Sequence, residues 1–567
     1  MPTITVSYRD LCSLVGRDLT VDEVSQALFL HKCLVESAVG DELSIEVNAD
    51  RPDMLSAEGL ARALRLFMGL EEPKLYEAVD GDVVIKVDPS VLNVRPYIMS
   101  AVVRGVKLSE EAVRQIMTLQ EKLHLTYCRR RSKVSIGVHD LDAVSHRITY
   151  AALKPDEIRF VPLDEEEEMA GREILERTEK GREYAHLLRG FDRYPLLYDS
   201  EGKVLSMPPI INSVITKVTE RTRNILLDVT GTDELMVSRV LNVMALNLAE
   251  RGGVIEYVTV EYPDRRVKAP LLDPLEVEVD LAEASKLIGV DLTPGLAGEA
   301  LKRMGYIVKG LKGSKLTALA PPYRCDILHP VDVVEDIAVG YGYDKLTPIR
   351  PPVTEVGREL GITRLSSKAR ELMIGLGYQE VSSYVLTSEE VLFNKMRLPY
   401  REAVVLENPV SSEYTCLRTW LTPILLDFLS RNKHVAYPQR VFECGDVVIL
   451  DEEAPTSTRV ERRLAAALCD REAGYEDIQA ALYALLKGLG LKGWVVEPEE
   501  HPSFIEGRVA SLRLRGFKVA VLGEVHPEVL RAFNLEMPTA CFELNLTLLL
   551  KLLGLEGRWS VAAAGKA

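Results

Sequence analysis

The chain has 567 residues, enough for several hydrophobic cores and for about three to five domains. Hydrophobic residues make up 47% of it and charged residues 27%, a composition typical of folded protein that excludes disordered and fibrous classes. A formal net charge of −16 argues against indiscriminate binding of polyanions. A local basic run such as Arg129–Lys133 can still contact RNA, although such runs are more often solvated turns.

The amino terminus lacks a basic segment leading into a long apolar run, and no segment offers the roughly 20 uncharged apolar residues that cross a bilayer. We therefore expect a cytoplasmic protein. The eight cysteines show neither C-x-x-C spacing nor a nearby histidine partner, so they are predicted to be buried thiols in a reducing compartment.

The first region predicted along the chain, 1–75, ends in an amphipathic helix that Ser56 starts and Gly69 stops. A linker over 73–82 leads into a second region, 76–265, of mixed helix and sheet. Its predicted strands are Val83–Val87 and Ile98–Val103, and its predicted helices are Glu110–His124 and Met236–Arg251.

A Pro-rich junction precedes a third region, 270–346, whose pattern is strand, helix, helix, strand, helix, with Gly305 ending the second helix. A fourth region, 355–560, begins with an amphipathic helix around 365–376 that runs into the strand-like segment 378–387. Strands and helices then alternate, which favours an α+β domain with a largely antiparallel sheet.

The strongest local chemical signal is acidic. Asp332, Glu335 and Asp336 are spaced to share one face of a helix that starts near Pro330, and Asp326 precedes them. Converging carboxylates repel one another unless a hard cation such as Mg²⁺ neutralises them. Spacing alone favours the simpler alternative, in which Asp332 caps the helix, Glu335 returns the capping bond and the other charge lies favourably near the helix N-terminus.

Four blocks in this sequence together resemble the β subunit of phenylalanyl-tRNA synthetase, in the shorter form typical of archaea and eukaryotes. They are Asn48–Ser56, Met207–Ser213, Arg324–Asp326 continuing through Gly342–Asp344, and Phe442–Gly445. The resemblance implies that Asp326, Asp332, Glu335 and Asp336 are magnesium ligands, in a small winged-helix-like domain of the B5 type. It also implies a degenerate class II synthetase-like domain over 355–560.

The second region is similar to the family's B3/B4-type editing domain, which is expected to hydrolyse tyrosine wrongly esterified to the phenylalanine tRNA. The resemblance implies that Leu196, Ser206, Asp228 and Thr230 form the editing pocket. Because Asp228 and Thr230 are two apart, a strand would turn both to one side, where they could bind a phenol or position water. Without the resemblance, a polar strand end entering the turn at 231–233 is the better interpretation.

Class II synthetases bind ATP through an Arg-x-Glu strand motif, and the closest match here, Arg440 and Glu443, is out of register by one residue. Arg440 and Glu443 are therefore predicted to face opposite sides of a strand. Each Gly-x-Gly of the chain also lacks the arginine that should follow it. His139 and Asp140 are predicted to be structural, because neighbours on a strand point apart.

The resulting prediction is an α+β multidomain chain that edits and contacts tRNA as the β subunit of an assembly of two α and two β chains. ATP is expected on the α subunit, Mg²⁺ on the carboxylates, and phenylalanine tRNA as the nucleic-acid partner. Two alternatives remain: a free-standing aminoacyl-tRNA editing hydrolase, and a nonenzymatic RNA-binding scaffold whose helix pair contacts nucleic acid.

Overall fold

The computed structural model describes residues 2–351, 355 and 357–554, which belong to two units, 1–350 and 351–567. The first unit holds the three regions predicted at 1–75, 76–265 and 270–346. All eight cysteines are free and buried, as predicted. In the part of the chain described, no helix combines the length and apolar character needed to cross a membrane.

The amino-terminal region is a three-stranded antiparallel sheet with three helices. Its elements are β1 (Thr3–Ser7), α1 (Tyr8–Val15), α2 (Val21–Leu30), β2 (Cys33–Val39), β3 (Glu42–Val47) and α3 (Ala57–Phe67), and the strand order is β1-β3-β2. Ser56 caps α3, as predicted, by accepting a hydrogen bond from the Gly59 backbone N–H. Every residue from 51 to 64 is buried, so this segment lies inside the first unit.

The second region is built on a ten-stranded mixed sheet. Its strands and the small β8–β9 pair are β4 (Val79–Val87), β5 (Tyr97–Arg104), β6 (Val134–Asp140), β7 (Arg147–Leu153), β8 (Arg159–Phe160), β9 (Met169–Ala170), β10 (Tyr194–Asp199), β11 (Val204–Met207), β12 (Ile211–Asn212), β13 (Asn224–Gly231), β14 (Val254–Glu261) and β15 (Arg266–Ala269). Its helices are α4 (Glu110–Leu125), α5 (Gly171–Arg177), α6 (Glu179–Tyr184) and α7 (Glu234–Ala249).

The strand order of this sheet places β12 at one edge and β6 at the other. The order is β12-β11-β10-β7-β4-β14-β5-β13-β6, with β15 paired to β14. The parallel pairs of this sheet in the described chain are β4 with β7 and β4 with β14, and the other pairs are antiparallel. The predicted strands and helices of this region are confirmed, with ends within a few residues of those expected. A single apolar core links α4, α7 and the central strands to α1–α3 of the amino-terminal region.

The third region contains one strand more than predicted. Its elements are β16 (Leu275–Asp280), α8 (Leu281–Ile288), α9 (Pro294–Arg303), β17 (Ile307–Lys312), β18 (Lys315–Ala320) and α10 (Pro330–Tyr341). The sheet order is β16-β18-β17, because the turn around Gly313, which has a positive φ, folds the predicted single strand into a hairpin. Gly305 follows α9 with φ +88°, the left-handed conformation that ends a helix, as predicted.

The second unit has a seven-stranded, largely antiparallel sheet, as predicted. Its elements are α11 (Gly361–Gly375), β19 (Gln379–Glu380), β20 (Leu386–Thr387), β21 (Cys416–Leu417), α12 (Thr422–Arg431), β22 (Gln439–Leu450), β23 (Thr458–Cys469), α13 (Tyr475–Gly488), β24 (Trp494–Pro498), β25 (Phe504–Leu514), β26 (Phe517–Val525), α14 (Pro527–Ala532), β27 (Thr539–Asn545) and α15 (Leu546–Leu552). The order is β19-β22-β23-β27-β26-β25-β24, and β20 pairs with β21 separately. The prediction of one strand over 378–387 is wrong for the middle of this segment, since only its two ends pair with other strands.

A buried cluster of ion pairs joins the three regions of the first unit. Arg51 donates two hydrogen bonds of 2.9 Å to the Asp53 carboxylate, and the side chains are 3% and 1% exposed. Arg62 approaches the same carboxylate at 3.7 Å and stacks on the ring of Tyr323. Although burial acts to raise it, the guanidinium groups of Arg51 and Arg62 hold the pKa of Asp53 below its usual value. This pairing explains why the 51–64 segment tolerates complete burial.

Replacing Asp53 by Asn should destabilise the segment by about 3–5 kcal/mol, because two buried guanidinium groups lose their counter-ion. Amide hydrogen exchange over 51–64 measures this as lost protection. Asp80→Asn is a matched control, since Asp80 pairs with Lys268 on the surface, where the two side chains are 83% and 64% exposed. The control should change stability by less than about 1 kcal/mol, and equal effects of the two changes would contradict the prediction.

Candidate active site

A cavity of about 510 Å³ lies where the two edges of the ten-stranded sheet approach each other. Edge strand β6, helix α4 and the segment around β12 all contribute to its wall. The side-chain amide of Asn212 in β12 reaches the Val138 carbonyl of β6 at 3.4 Å, which shows how closely the edges approach. The cavity therefore results from the curvature of the sheet and is lined by residues far apart in the sequence.

Asp228 supplies the buried carboxylate of this cavity. It lies on β13, and its Oδ2 accepts hydrogen bonds from Ser206 Oγ at 3.1 Å and from His139 Nε2 at 2.6 Å. Asp228 and Ser206 both line the cavity, and each is 1% exposed. Among the described residues, no hydrogen bond reaches Asp228 Oδ1. One oxygen of a fixed carboxylate thus remains available to a donor on a ligand.

The other two residues of the expected pocket lie beside the cavity and do not line its wall. Thr230 faces the same side of β13 as Asp228, because the strand pairs with β5 and β6 without a register shift. Its hydroxyl lies 2.9 Å from Ser135 Oγ and accepts a hydrogen bond from Arg95 Nε at 2.9 Å. Leu196 packs in an apolar cluster behind the cavity. The structure thus brings Ser206 and Asp228 together, while Thr230 and Leu196 support the surrounding wall.

His139 is a partner of Asp228 that sequence reasoning missed. The prediction that it forms no dyad with Asp140 is confirmed, because Asp140 instead accepts a hydrogen bond from Thr222. His139 points to Asp228, 89 positions away in the chain. Only the pairing of β6 with β13, which sets Gly137 opposite Asp228, reveals this neighbour. No local sequence pattern carries that information.

Arg131 places a buried positive charge in the wall of the cavity. Residues 129, 130 and 131 have φ values of +50°, +50° and +61°, a left-handed turn that L-residues rarely adopt. The turn leaves Arg129 and Arg130 exposed and buries Arg131, whose guanidinium stacks on Tyr184 and donates to Glu121 at 2.7 Å. Its Nε has no hydrogen-bond partner in the described chain. Backbone strain of this kind is typical of functional sites.

The Arg131 charge is balanced by Glu121 on α4. Burial acts to raise the pKa of Glu121, but the nearby His124 imidazole, at 3.5 Å, and the charges of Arg131 and Lys180 bring it down to about 2. Burial lowers the pKa of His124 to about 4. At neutral pH the wall of the cavity therefore carries a paired carboxylate and guanidinium beside a neutral imidazole.

The four carboxylates expected to bind magnesium are each held by a partner within the chain. Arg324 donates two hydrogen bonds to Asp326, at 2.9 and 2.7 Å, and lies 2.6 Å from Asp336. Asp336 also accepts a hydrogen bond from Tyr306, and burial raises its pKa. Arg324 thus stands between the two carboxylates that a cation would have to bridge.

The remaining two carboxylates point to separate partners. Asp332 accepts hydrogen bonds from the backbone N–H groups of Leu328 and His329, at 2.8 and 2.7 Å. The helix is therefore capped by a capping box, but the predicted roles are wrong, since His329 is the N-cap and Asp332, not Glu335, returns the bond. Glu335 is exposed and pairs with Lys32 at 3.1 Å. Among the described residues, no three acidic, histidine or cysteine side chains are grouped to hold a metal ion. This arrangement does not fit Mg²⁺, and a magnesium site here stays a prediction from the resemblance.

The second unit shows where Arg440 and Glu443 lie. The unbroken pairing of β22 with β23 puts Arg440 and Glu443 on opposite faces of the sheet, as predicted. Glu443 is buried and forms an ion pair of 2.6 Å with Arg418. Gly445 makes room for that arginine, since a Cβ there would lie 2.3 Å from Arg418 Nη2. The Phe442–Gly445 block therefore has a structural explanation that does not involve a nucleotide.

Comparisons with known proteins point to one family along nearly the whole chain. Three family models match it: the B3/4 domain at 95–252, the tRNA synthetase B5 domain at 277–343 and the phenylalanyl tRNA synthetase beta chain CLM domain at 348–546. The phenylalanine–tRNA ligase beta subunits of Thermococcus gammatolerans and Pyrococcus furiosus are each 44% identical over 96% of this chain, covering 98% and 99% of their own lengths.

One solved structure matches the amino-terminal part of the chain. It is an N-terminal fragment of the phenylalanyl-tRNA synthetase beta-subunit from Pyrococcus horikoshii, which is 40% identical. The match covers 60% of this chain and 99% of the fragment, with a TM-score of 0.58. The fragment and this chain therefore share the fold over that part.

Removing magnesium should leave the third region unchanged, because Arg324, Lys32 and the α10 backbone already hold its carboxylates. Hydrogen exchange over α10 in the purified native assembly should be the same in excess EDTA and in magnesium. Magnesium-dependent protection that Asp326→Asn abolishes would contradict this prediction and support the ligand set implied by the resemblance. Asp332→Ala should cost about 1 kcal/mol of helix stability in either buffer, through the lost cap.

Proposed function

The chain belongs to the phenylalanine–tRNA ligase β-subunit family, and from this premise we propose that its ten-stranded sheet carries a hydrolytic editing site. The family membership gives the reaction of the assembly, the ATP-dependent esterification of phenylalanine to its tRNA. The substrate proposed for the editing site is tyrosine wrongly attached to the same tRNA. We place this activity in the cytoplasm, where translation uses the product.

The unpaired Oδ1 of Asp228 is the observation that carries the proposal. Tyrosine differs from phenylalanine by one hydroxyl, which a pocket shaped for phenylalanine rejects poorly. Asp228 is a buried residue that lines the cavity, and its Oδ1, which no hydrogen bond of the described chain reaches, can accept a hydrogen bond from that hydroxyl. Phenylalanine offers no donor and would leave the oxygen unsatisfied, which is costly in a buried site. The cavity can therefore select the wrong amino acid for hydrolysis.

The proposed step is ester hydrolysis. The oxygen of a water molecule bonds to the ester carbonyl carbon, the bond to the terminal ribose oxygen breaks, and a proton returns to that ribose. The free Nε–H of Arg131 offers a hydrogen bond to an oxygen of the ester or of the terminal nucleotide. Ser206 holds the Asp228 carboxylate in place, and Leu196 and Thr230 support the strands that carry these residues.

Amino-acid activation is proposed to take place on an α subunit, in an assembly of two α and two β chains. The face of β22 that should carry an arginine beside Glu443 carries none, and Glu443 is already paired with Arg418. A strand arranged in this way lacks the cation that an ATP phosphate requires. The second unit is then proposed to serve as the contact with the α subunit.

The two alternative functions are less well supported. A free-standing hydrolase would not need the second unit, and yet the β-chain CLM model matches that unit over 348–546. A nonenzymatic scaffold would not need a cavity that holds a buried carboxylate with one free oxygen. Both observations favour a subunit that edits.

Replacing Asp228 by Ala in the holoenzyme should slow deacylation of tyrosyl-tRNA by about 100-fold or more, because the acceptor for the phenol is lost. Phenylalanine activation should be unchanged. Asp140→Ala is a suitable control, because Asp140 lies on β6 and bonds Thr222 outside the cavity wall. Unchanged deacylation in Asp228→Ala would refute the assignment of the editing site.

Phenylalanine-dependent exchange of pyrophosphate into ATP tests the division of labour between subunits. The purified chain should be inactive alone and should gain activity only when coexpressed with the α chain from the same genome. Exchange by this chain alone would show that β22 retains ATP chemistry and would overturn the proposal. A folded mixture without activity would favour the hydrolase or the scaffold.

A further inference from the structure

We propose that His139 and Thr216 are positioning residues of the editing site, which hold Asp228 so that its Oδ1 recognises the hydroxyl of the misattached tyrosine. The inference rests on the proposed editing function and adds two residues to it. His139 does not line the cavity, and neither residue belongs to the pocket expected from the sequence. Both would act through Asp228 and neither through contact with the reacting ester.

The three side chains form a continuous buried chain of hydrogen bonds. Thr216 Oγ1 lies 2.8 Å from His139 Nδ1, and His139 Nε2 lies 2.6 Å from Asp228 Oδ2. The three residues are 1%, 0% and 1% exposed, respectively. This series of hydrogen bonds therefore runs from the segment after β12, through edge strand β6, to β13, and its central member, His139, has no exposed surface.

The positions of the protons follow from what each group can donate. An ionised carboxylate only accepts, so with Asp228 ionised the shared proton lies on His139 Nε2. In the neutral imidazole, Nδ1 then accepts a hydrogen bond, and the Thr216 hydroxyl is placed to donate it. Donation from Thr216 to Nδ1, which is closer than the Ser213 carbonyl at 3.4 Å, thus favours the tautomer in which His139 donates to Asp228. A second residue sets the orientation of the first, as in other sites where a histidine is held by an outer partner.

Two donors on the same oxygen determine which oxygen faces the ligand. His139 and Ser206 both bond Oδ2, so the carboxylate is fixed and Oδ1 is left for the cavity. Without His139, the Ser206 hydroxyl at 3.1 Å would be the only side-chain group among the described residues that bonds the carboxylate. The carboxylate could then rotate or lose its orientation, and the selection for a phenol would weaken.

Gly137 leaves space for the hydrogen bond between His139 and Asp228. It lies opposite Asp228 in the pairing of β6 with β13. A Cβ at residue 137 would be 2.3 Å from Asp228 Oδ2 and 2.6 Å from His139 Nε2. Any larger residue would therefore clash with both atoms of this hydrogen bond. The glycine is required here by the close approach of two side chains, and not by a positive φ.

The test uses the holoenzyme and measures deacylation of tyrosyl-tRNA and phenylalanyl-tRNA in single turnovers. His139→Leu should reduce the ratio of the two rates by about 10- to 100-fold, the size expected for a lost hydrogen bond to a charged group. His139→Gln, which keeps an N–H donor, should recover part of that ratio. Thr216→Val should reduce the ratio less than His139→Leu, and Thr216→Ser should retain it. Gly137→Ala should behave like His139→Leu.

A matched control is available in the same sheet. His146 forms a hydrogen bond of 2.7 Å with Asp82 at the start of β7, and neither residue lines the cavity. His146→Gln should leave the ratio unchanged. The midpoint of thermal unfolding and the rate of phenylalanine attachment, measured for each variant, report whether the assembly is folded.

The outcomes separate this inference from the proposed function. If Asp228→Ala abolishes selective deacylation while His139→Leu leaves the ratio intact, the positioning role is wrong and the editing site stands. If His139→Leu lowers both deacylation rates equally together with the unfolding midpoint, His139 is merely structural and the inference is overturned. If Asp228→Ala itself has no effect, the proposed editing function fails.

Discussion

The buried ion pair of Arg51 with Asp53 is the interaction on which the first unit depends. It lies at the start of a segment, 51–64, in which every residue is buried, and it meets Arg62 from the same segment. A charge removed from water must be paired, so the elements that contribute these charges are held in one arrangement. The backbone of this segment is held at the same point, because the side-chain amide of Asn247 on α7 donates a hydrogen bond to the Asp53 carbonyl. The Asn48–Ser56 block thus connects the amino-terminal sheet to the ten-stranded sheet.

The same rule can be applied to the other two groups of buried or partly buried carboxylates. At Asp326 and Asp336 the carboxylates are engaged by Arg324 and Tyr306, and at Asp332 by the backbone of α10. At Asp228 two donors meet on one oxygen and the other oxygen has no partner in the described chain. A guanidinium group compensates Asp326 and Asp336, whereas Asp228 lies in the wall of a cavity and is bonded by a hydroxyl and an imidazole. The kind of partner and the position relative to the cavity therefore distinguish two groups of acidic residues that look alike in the sequence.

What the sequence could predict depends on the range of the interaction. Ser56 and Gly305 act on residues within one turn, so the helix start and the helix end were correctly predicted. The hairpin of β17 and β18, and the two short strands within 378–387, depend on pairing with other strands, and here the local pattern was insufficient. His139 is the extreme case, because its partner is 89 residues away and is brought close by sheet register alone. The resemblance identified Ser206 and Asp228 for the cavity wall but could not indicate that the hydroxyl of Thr230 bonds Ser135 and Arg95.

The second unit shows how a sheet can hold buried acidic side chains. A buried glutamate without a counter-ion would be an unpaired charge, which costs several kcal/mol. Here Arg418 pairs with Glu443, and Gly445 leaves the space through which that guanidinium passes. Glu543 on β27 is also paired within the chain, because Arg463 and the backbone N–H groups at the start of α12 donate hydrogen bonds to it. Glu443 and Glu543 thus each have an arginine as counter-ion within the chain, so their buried charges are compensated without a bound ligand.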